Sequence, residues 1–163
     1  MEKPMRQIVY FSTATGRQDA QTIAALLAVS RDFPGGEKVT GLLVAGGHRY
    51  LQVIEGPALT VEALMEAIRH DHCHVGLTVL VNRKISARSF AGGMAYFDEP
   101  DLGDFATLKQ LIDRMRAKVT ERKLRDQMNC FERRFTVASL APVASPWTLA
   151  DSYASALTFD RGH

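Results

Sequence analysis

The 163 residues are 46% hydrophobic and 23% charged, an ordinary globular mix that excludes a disordered chain and suits one domain of roughly 100–150 residues with a tail. A net charge of +2 neither demands nor forbids a polyanionic partner. No apolar run approaches the roughly 20 residues that span a bilayer, the start MEKPMRQIVYFS lacks a signal-peptide core, and Cys73 and Cys130 have neither CxxC nor Cys/His ligand spacing, so a cytoplasmic protein with free thiols, no membrane partner and no metal is expected.

The first strand is predicted at 6–13 (RQIVYFST), a β-branched and aromatic run ended by the turn chemistry of Thr15-Gly16. A helix follows at about 18–31, with Ala20, Ile23, Ala24 and Leu27 at helical spacing, and it must stop before Pro34-Gly35-Gly36. Strands at 38–45 and 48–55 are joined by Gly46-Gly47, a two-residue loop that favours a tight hairpin. A second helix at about 57–71 has Pro57 near its start and Val61, Leu64 and Ile68 on one face. Strands at 76–83 and near 94–98 complete a βαββαββ series.

That order implies an α+β, ferredoxin-like sandwich with two helices on one face of a mixed sheet over residues 1–100, followed by a helical extension over 101–163. In the extension, helices are read at 104–120 and 121–134, a loop at 139–147 and a short helix at 148–157. Phe105, Leu108, Leu111, Ile112 and Met115 form an apolar stripe that must be buried, either on the sheet face left open by the domain helices or on a second subunit. Residues 1–100 balance ten basic against ten acidic side chains, whereas 114–134 carries eight basic and three acidic. No aromatic interleaving accompanies that run and Glu121, Asp126 and Glu132 interrupt it, so a solvated, salt-bridged face is expected in preference to a nucleic-acid surface.

Alternation in strand 48–55 puts Tyr50, Gln52 and Ile54 on one face, leaving Gln52 on an apolar surface. A buried primary amide must find partners, at a cost of about 1–3 kcal/mol if it does not. Strand one places Ile8, Tyr10 and Ser12 together, and the first and third strands of a ferredoxin-like sheet are neighbours, so Tyr10 and Gln52 can meet. On the residues alone such a pair reads first as two core side chains satisfying each other.

The segments IVYFST, VTGLLV, YLQVIEGP, AIRHDHCH and ISARSFAG, in order and without gaps over about residues 6–97, resemble the BLUF (blue light using FAD) family. The resemblance implies a flavin photoreceptor in which Tyr10 and Gln52 form the photoactive hydrogen-bond network, with Met94 the nearby methionine. Leu26, Phe33, Ile68, Asp71 and His74 are the further flavin-binding positions it implies. FAD is the expected cofactor, with FMN or riboflavin as substitutes. Asp71 and His74 belong to HDHCH, which matches the family's D-x-x-H motif and reads equally as a polar helix cap; Phe33 is either a ring-stacking residue or a plug at a helix end.

Three positions depart from the family pattern. Its flavin-binding asparagine is replaced by Pro34, which has no N–H to donate. Its last-strand tryptophan and methionine fall on Gly93 and Ala95, and Met94 lies one residue away, which turns its side chain to the opposite face unless a bulge restores it. Two functions follow as expectations: a non-enzymatic photoreceptor, homo-oligomeric and signalling by contact with a downstream protein, or a BLUF-like interaction module that holds flavin weakly or not at all. A small acylphosphatase-like enzyme is a third reading, disfavoured because the first βα turn, STATGRQ, offers Arg17 but no phosphate-cradling loop.

Overall fold

The computed structural model describes residues 3–99 and, beyond them, 102, 110, 111, 113, 114, 117, 122 and 124–129. The stripe residues Phe105, Leu108, Ile112 and Met115, the loop at 139–147 and the helix at 148–157 lie outside the described residues. So do Cys130, Glu121 and Glu132. The described residues between 110 and 129 are helical.

The elements run β1 (Met5–Ala14), α1 (Ala20–Asp32), β2 (Thr40–Gly46), β3 (Arg49–Pro57), α2 (Ala58–Arg69), β4 (His74–Ile85) and β5 (Met94–Asp98), with one 3₁₀ turn at Gly36–Lys38 before β2. Helix α1 starts where the Asp19 side chain accepts the Thr22 N–H at 2.8 Å, a satisfied N-cap, and ends before Pro34 as its ring requires. The hairpin turn lies one residue beyond the expected Gly46-Gly47: Gly46 pairs with Arg49, and Gly47 and His48 are the two loop residues. Both have positive φ, +54° and +61°, the primed-turn geometry whose twist matches the flanking strands.

The five strands lie in the order β4-β1-β3-β2-β5. Neighbouring pairs are antiparallel except β2 with β5, which is parallel, so the sheet is mixed as expected. Ile8, Tyr10 and Ile54 point to one face and pack against Val61, Leu64, Met65 and Ile68 of α2, with Val29 of α1 alongside. Ile23, Leu26 and Leu27 of α1 cover Leu43, Ala45 and Tyr50 on the same face. The intervening residues Val9, Phe11, Leu42, Val44, Leu51 and Val53 point the other way. There they are covered by Phe90, Leu102, Leu111 and Met128, none more than 1% exposed. Each such side chain contributes about 1.5–3 kcal/mol by burial. Leu111 of the expected tail stripe thus meets the sheet itself. Within the basic run, Arg122 lies 3.9 Å from Asp126 one turn along, an exposed pair.

Candidate functional site

Strands β1 and β3 pair in a register that sets Tyr10 directly opposite Gln52. Both are buried, and the Tyr10 hydroxyl donates to Gln52 Oε1. The other end of the amide, Nε2, points to Met94 Sδ at 3.9 Å. A thioether is a weak acceptor. The carboxamide therefore holds two N–H donors against one soft sulfur, in a core that otherwise offers it no strong acceptor among the described residues.

Met94 reaches this position because β5 begins with it. The β2–β5 ladder runs without interruption from Gly41↔Met94 to Ala45↔Asp98, and Gly93, immediately before it, adopts φ +98°. The glycine turns the chain so that Met94 joins the Tyr10 cluster while Ala95 and Phe97 join the opposite one. The displaced methionine thus faces Gln52 without a bulge inside the strand, and Ala95 faces away. Gly93 presents no side chain.

At the C-terminal end of α2, a cleft of about 550 Å³ is lined by Thr15, Ile68, Asp71, His74 and Leu77 among others, a size typical of small-molecule sites. Asp71 Oδ1 accepts the Cys73 N–H at 2.9 Å, so it caps this turn as well as facing the cleft. The buried His74 sets Nδ1 2.7 Å from Ser12 Oγ, and its Nε2 is buried without a hydrogen bond of ordinary geometry. Its ring lies 6.0 Å from that of Tyr10 and 6.2 Å from that of Tyr50, which links the cleft to the Tyr10–Gln52 pair. Ile68 belongs to both places: it lines the cleft and packs in the Tyr10 cluster.

Burial, and secondarily the charge of Asp71, pushes the Tyr10 phenol far above its ordinary range, so it keeps its proton throughout neutral pH. Burial pushes the His74 imidazolium down, against Asp71 and the Ile68 carbonyl, which favour it. Burial and Asp71 push the Cys73 thiol up, favouring its protonated form. The lowered His74 value has a consequence for stability. The unfolded chain takes up a proton below about pH 6.5 that the folded chain resists, so the stabilisation present above that pH is lost as pH falls, by at most about 1.4 kcal/mol per unit. Urea unfolding at stepped pH between neutrality and mild acid is expected to show this slope in the wild type and a shallower one in His74→Asn.

The remaining sequence-derived positions divide. Phe33, the residue after α1, packs in the Tyr10 cluster, whereas Leu26 packs in the neighbouring one around Tyr50 and Leu43. Pro34 is exposed in the turn after α1. Two polar groups on this face are additional to the sequence reading: Ser12, wholly buried as the partner of His74, and Ser30 of α1, whose buried Oγ makes no hydrogen bond. Ser12 was legible as a strand-mate of Tyr10 two residues on. Ser30 lay inside the helical run with nothing to distinguish it from a surface serine.

These residues fit a flavin on the chemistry of their donors. An amide rich in N–H and short of acceptors and a protonated phenol suit a planar ring edged with carbonyls and ring nitrogens. The cleft beside Ile68 provides room for part of such a molecule.

No curated protein sequence is significantly similar to this chain. Among solved structures, the fold resembles BlrB, a BLUF protein in its dark state, with TM-score 0.58 and 20% identity over 82% of this chain and 99% of that one. It also resembles the BLUF domain of BlrP1, with TM-score 0.55 and 25% identity over 83% and 91%. A bacterial light-regulated adenylyl cyclase matches with TM-score 0.54 and 20% identity; the match covers 82% of this chain but only 35% of the cyclase. No described helix is long and apolar enough to cross a membrane. The sequence profile of the sensors of blue light using FAD matches residues 5–95, more than half the chain and the whole of the βαββαβ core with the start of β5; this protein belongs to the BLUF family.

Proposed function

We propose that the protein is a blue-light photoreceptor that binds FAD on the helix-covered face of its sheet and signals through rearrangement of the Tyr10–Gln52 hydrogen bond. The observation that carries this reading is the buried amide of Gln52, held at its oxygen by Tyr10 and at its nitrogen by nothing stronger than Met94 Sδ. Such a group is held firmly at one end only, so a stronger acceptor placed at its nitrogen or a donor placed at Met94's position would change its preferred orientation. A bound flavin supplies the absorption of blue light and an electron acceptor. Tyr10 is the adjacent donor, and its hydroxyl proton lies on the axis to Gln52. Rotation of the Gln52 amide exchanges the acceptor facing Tyr10 for a donor, and the phenol must then accept instead of donate. Two arrangements of one pair make a bistable element.

Residues to hold the ring are Phe33 and Ile68 at its faces, with Asp71 and His74 at the cleft; Leu26, one cluster away, would serve from α1. FMN or riboflavin would satisfy the same groups. Output would run through β5: Met94 touches the Gln52 side, while Ala95 and Phe97 pack against the opposite core together with Leu124. The extension over 101–163 would carry the change to a protein partner or to a second copy of the chain, with no enzymatic step.

A second reading, a BLUF-like interaction module that has lost flavin, is favoured by one observation, the exposed Pro34 where the family has a hydrogen-bonding asparagine. One lost hydrogen bond costs about 1 kcal/mol, roughly fivefold in affinity, which weakens binding without abolishing it. Colour separates the two. Purified protein is expected to show flavin absorption in the blue and a small red shift on illumination; a colourless preparation that also rejects added FAD would leave only the second reading.

A further inference from the structure

On the sheet face away from the helices, a chain of polar groups, buried at Gln7 and Glu55 and partly buried at Arg83, crosses three strands. Arg83 Nε on β4 donates to Gln7 Oε1 on β1 at 2.8 Å. Gln7 Nε2 donates to Glu55 Oε1 on β3 at 2.7 Å. Glu55 Oε2 accepts the backbone N–H groups of Ser89 and Phe90 at 2.9 and 3.1 Å. Gln7 and Glu55 are both 0% exposed. Arg88 ties the same loop down further, donating to Thr40 Oγ1, the Glu55 carbonyl and the Lys38 carbonyl at 2.8, 2.9 and 2.6 Å.

The loop so held is the β4–β5 connection that delivers Met94. On β2, Thr40 pairs with Glu55 and the next residue, Gly41, pairs with Met94, so the latch lies one rung from the methionine. Gly41 N donates to Gly93 O at 3.0 Å, closing the same corner. We propose that Glu55 is a positioning residue for Met94: by clamping Ser89 and Phe90 it fixes where β5 begins, and so sets the thioether against Gln52.

The chemistry explains why this position needs a carboxylate. Both ends of the chain, the Arg83 guanidinium and the two backbone N–H groups, are donors only. Gln7 passes one donor along to the next link. The member that closes the chain must accept from both sides, and an amide cannot. In Glu55→Gln, every choice of amide orientation leaves one donor facing another. Exchanging the two, Gln7→Glu with Glu55→Gln, restores the sequence: Arg83 donates to Glu, Gln donates to Glu, and the backbone N–H groups donate to the Gln oxygen. A role confined to size or hydrophobicity predicts no such rescue.

The test uses the full chain with methyl-labelled methionine and ¹⁵N, Met94 being assigned with Met94→Leu. In Glu55→Gln, the Ser89 and Phe90 amides are expected to exchange at least about tenfold faster and the Met94 methyl signal to shift; the double exchange returns both toward wild type. Wild-type exchange in the single variant would overturn the proposal, as would an unmoved Met94 signal beside freely exchanging amides, or a double variant no better than the single. If the single variant does not fold, the double variant decides: a folded protein with a wild-type Met94 signal supports the latch, and an unfolded one refutes it. The relevance of Met94 to light rests on the photoreceptor reading. A wild type without a light-induced flavin shift would sink that reading and leave the exchange and methyl results standing, whereas a normal shift in the wild type with altered dark recovery in Glu55→Gln joins the two.

Discussion

Tyr10→Phe is expected to retain flavin and lose the light-induced absorption shift altogether. The ring is 2% exposed and packs among Ile8, Ile54, Leu64 and Ile68, so phenylalanine fills the same space and the fold survives. What disappears is the strong donor that Gln52 Oε1 has among the described residues. The buried carbonyl is left unpaired at a cost of about 1–3 kcal/mol, or the amide turns permanently to relieve it. Either way the pair can no longer exchange donor and acceptor, and the phenolic proton and electron are gone. Difference spectra of the flavin-loaded variant before and after illumination check this, and a normal photocycle would refute the assignment of Tyr10.

Gly41→Ala is expected to cost the fold more than any conservative core change. A Cβ on Gly41 would stand 1.8 Å from the Val53 carbonyl oxygen and 2.8 Å from its carbon, both backbone atoms of the adjacent strand. No rotamer relieves a backbone contact, so β2 must separate from β3 in the middle of the sheet. Overpacking of a core costs typically 1–3 kcal/mol when side chains can shift, and here they cannot. A loss beyond about 3 kcal/mol is expected, read as a collapse of the urea midpoint or as insoluble protein. Because Gly41 also pairs with Met94, any variant that folds should show a displaced Met94 signal. Wild-type stability would contradict the close approach of these strands.

Much of this architecture was legible from period and punctuation. Alternation in 6–13 and 48–55 put Tyr10 and Gln52 on inward faces, and the βαββαββ order made their strands neighbours, which is how the register runs. The hairpin was misplaced by one residue because two glycines looked like the whole turn, whereas His48 accepts positive φ and Gly46 remains paired in the ladder. Strand and helix ends moved by a residue or a few, as caps and frayed turns commonly move them.

Less of the site could be read in advance. Counting from the family pattern pointed Ala95 inward, and only the backbone conformation of Gly93, which sequence does not encode uniquely, decides that Met94 takes that place. Leu26 came only from the family resemblance, and it packs beside Tyr50 and Leu43, in the cluster next to that of Tyr10. The Arg83–Gln7–Glu55 chain joins residues far apart in sequence, none in a motif that period or spacing detects. Such groups show themselves only once the strands are in register.

The sheet is a partition one residue thick. Along β5, Met94 belongs to one compartment and Ala95 to the other, and the two α-carbons are joined by a single peptide unit. On the proposed photoreceptor reading, a change on the Gln52 side would reach the Leu111 and Met128 side with no relay of side chains through the interior, across one planar peptide unit and the two soft dihedrals that flank it.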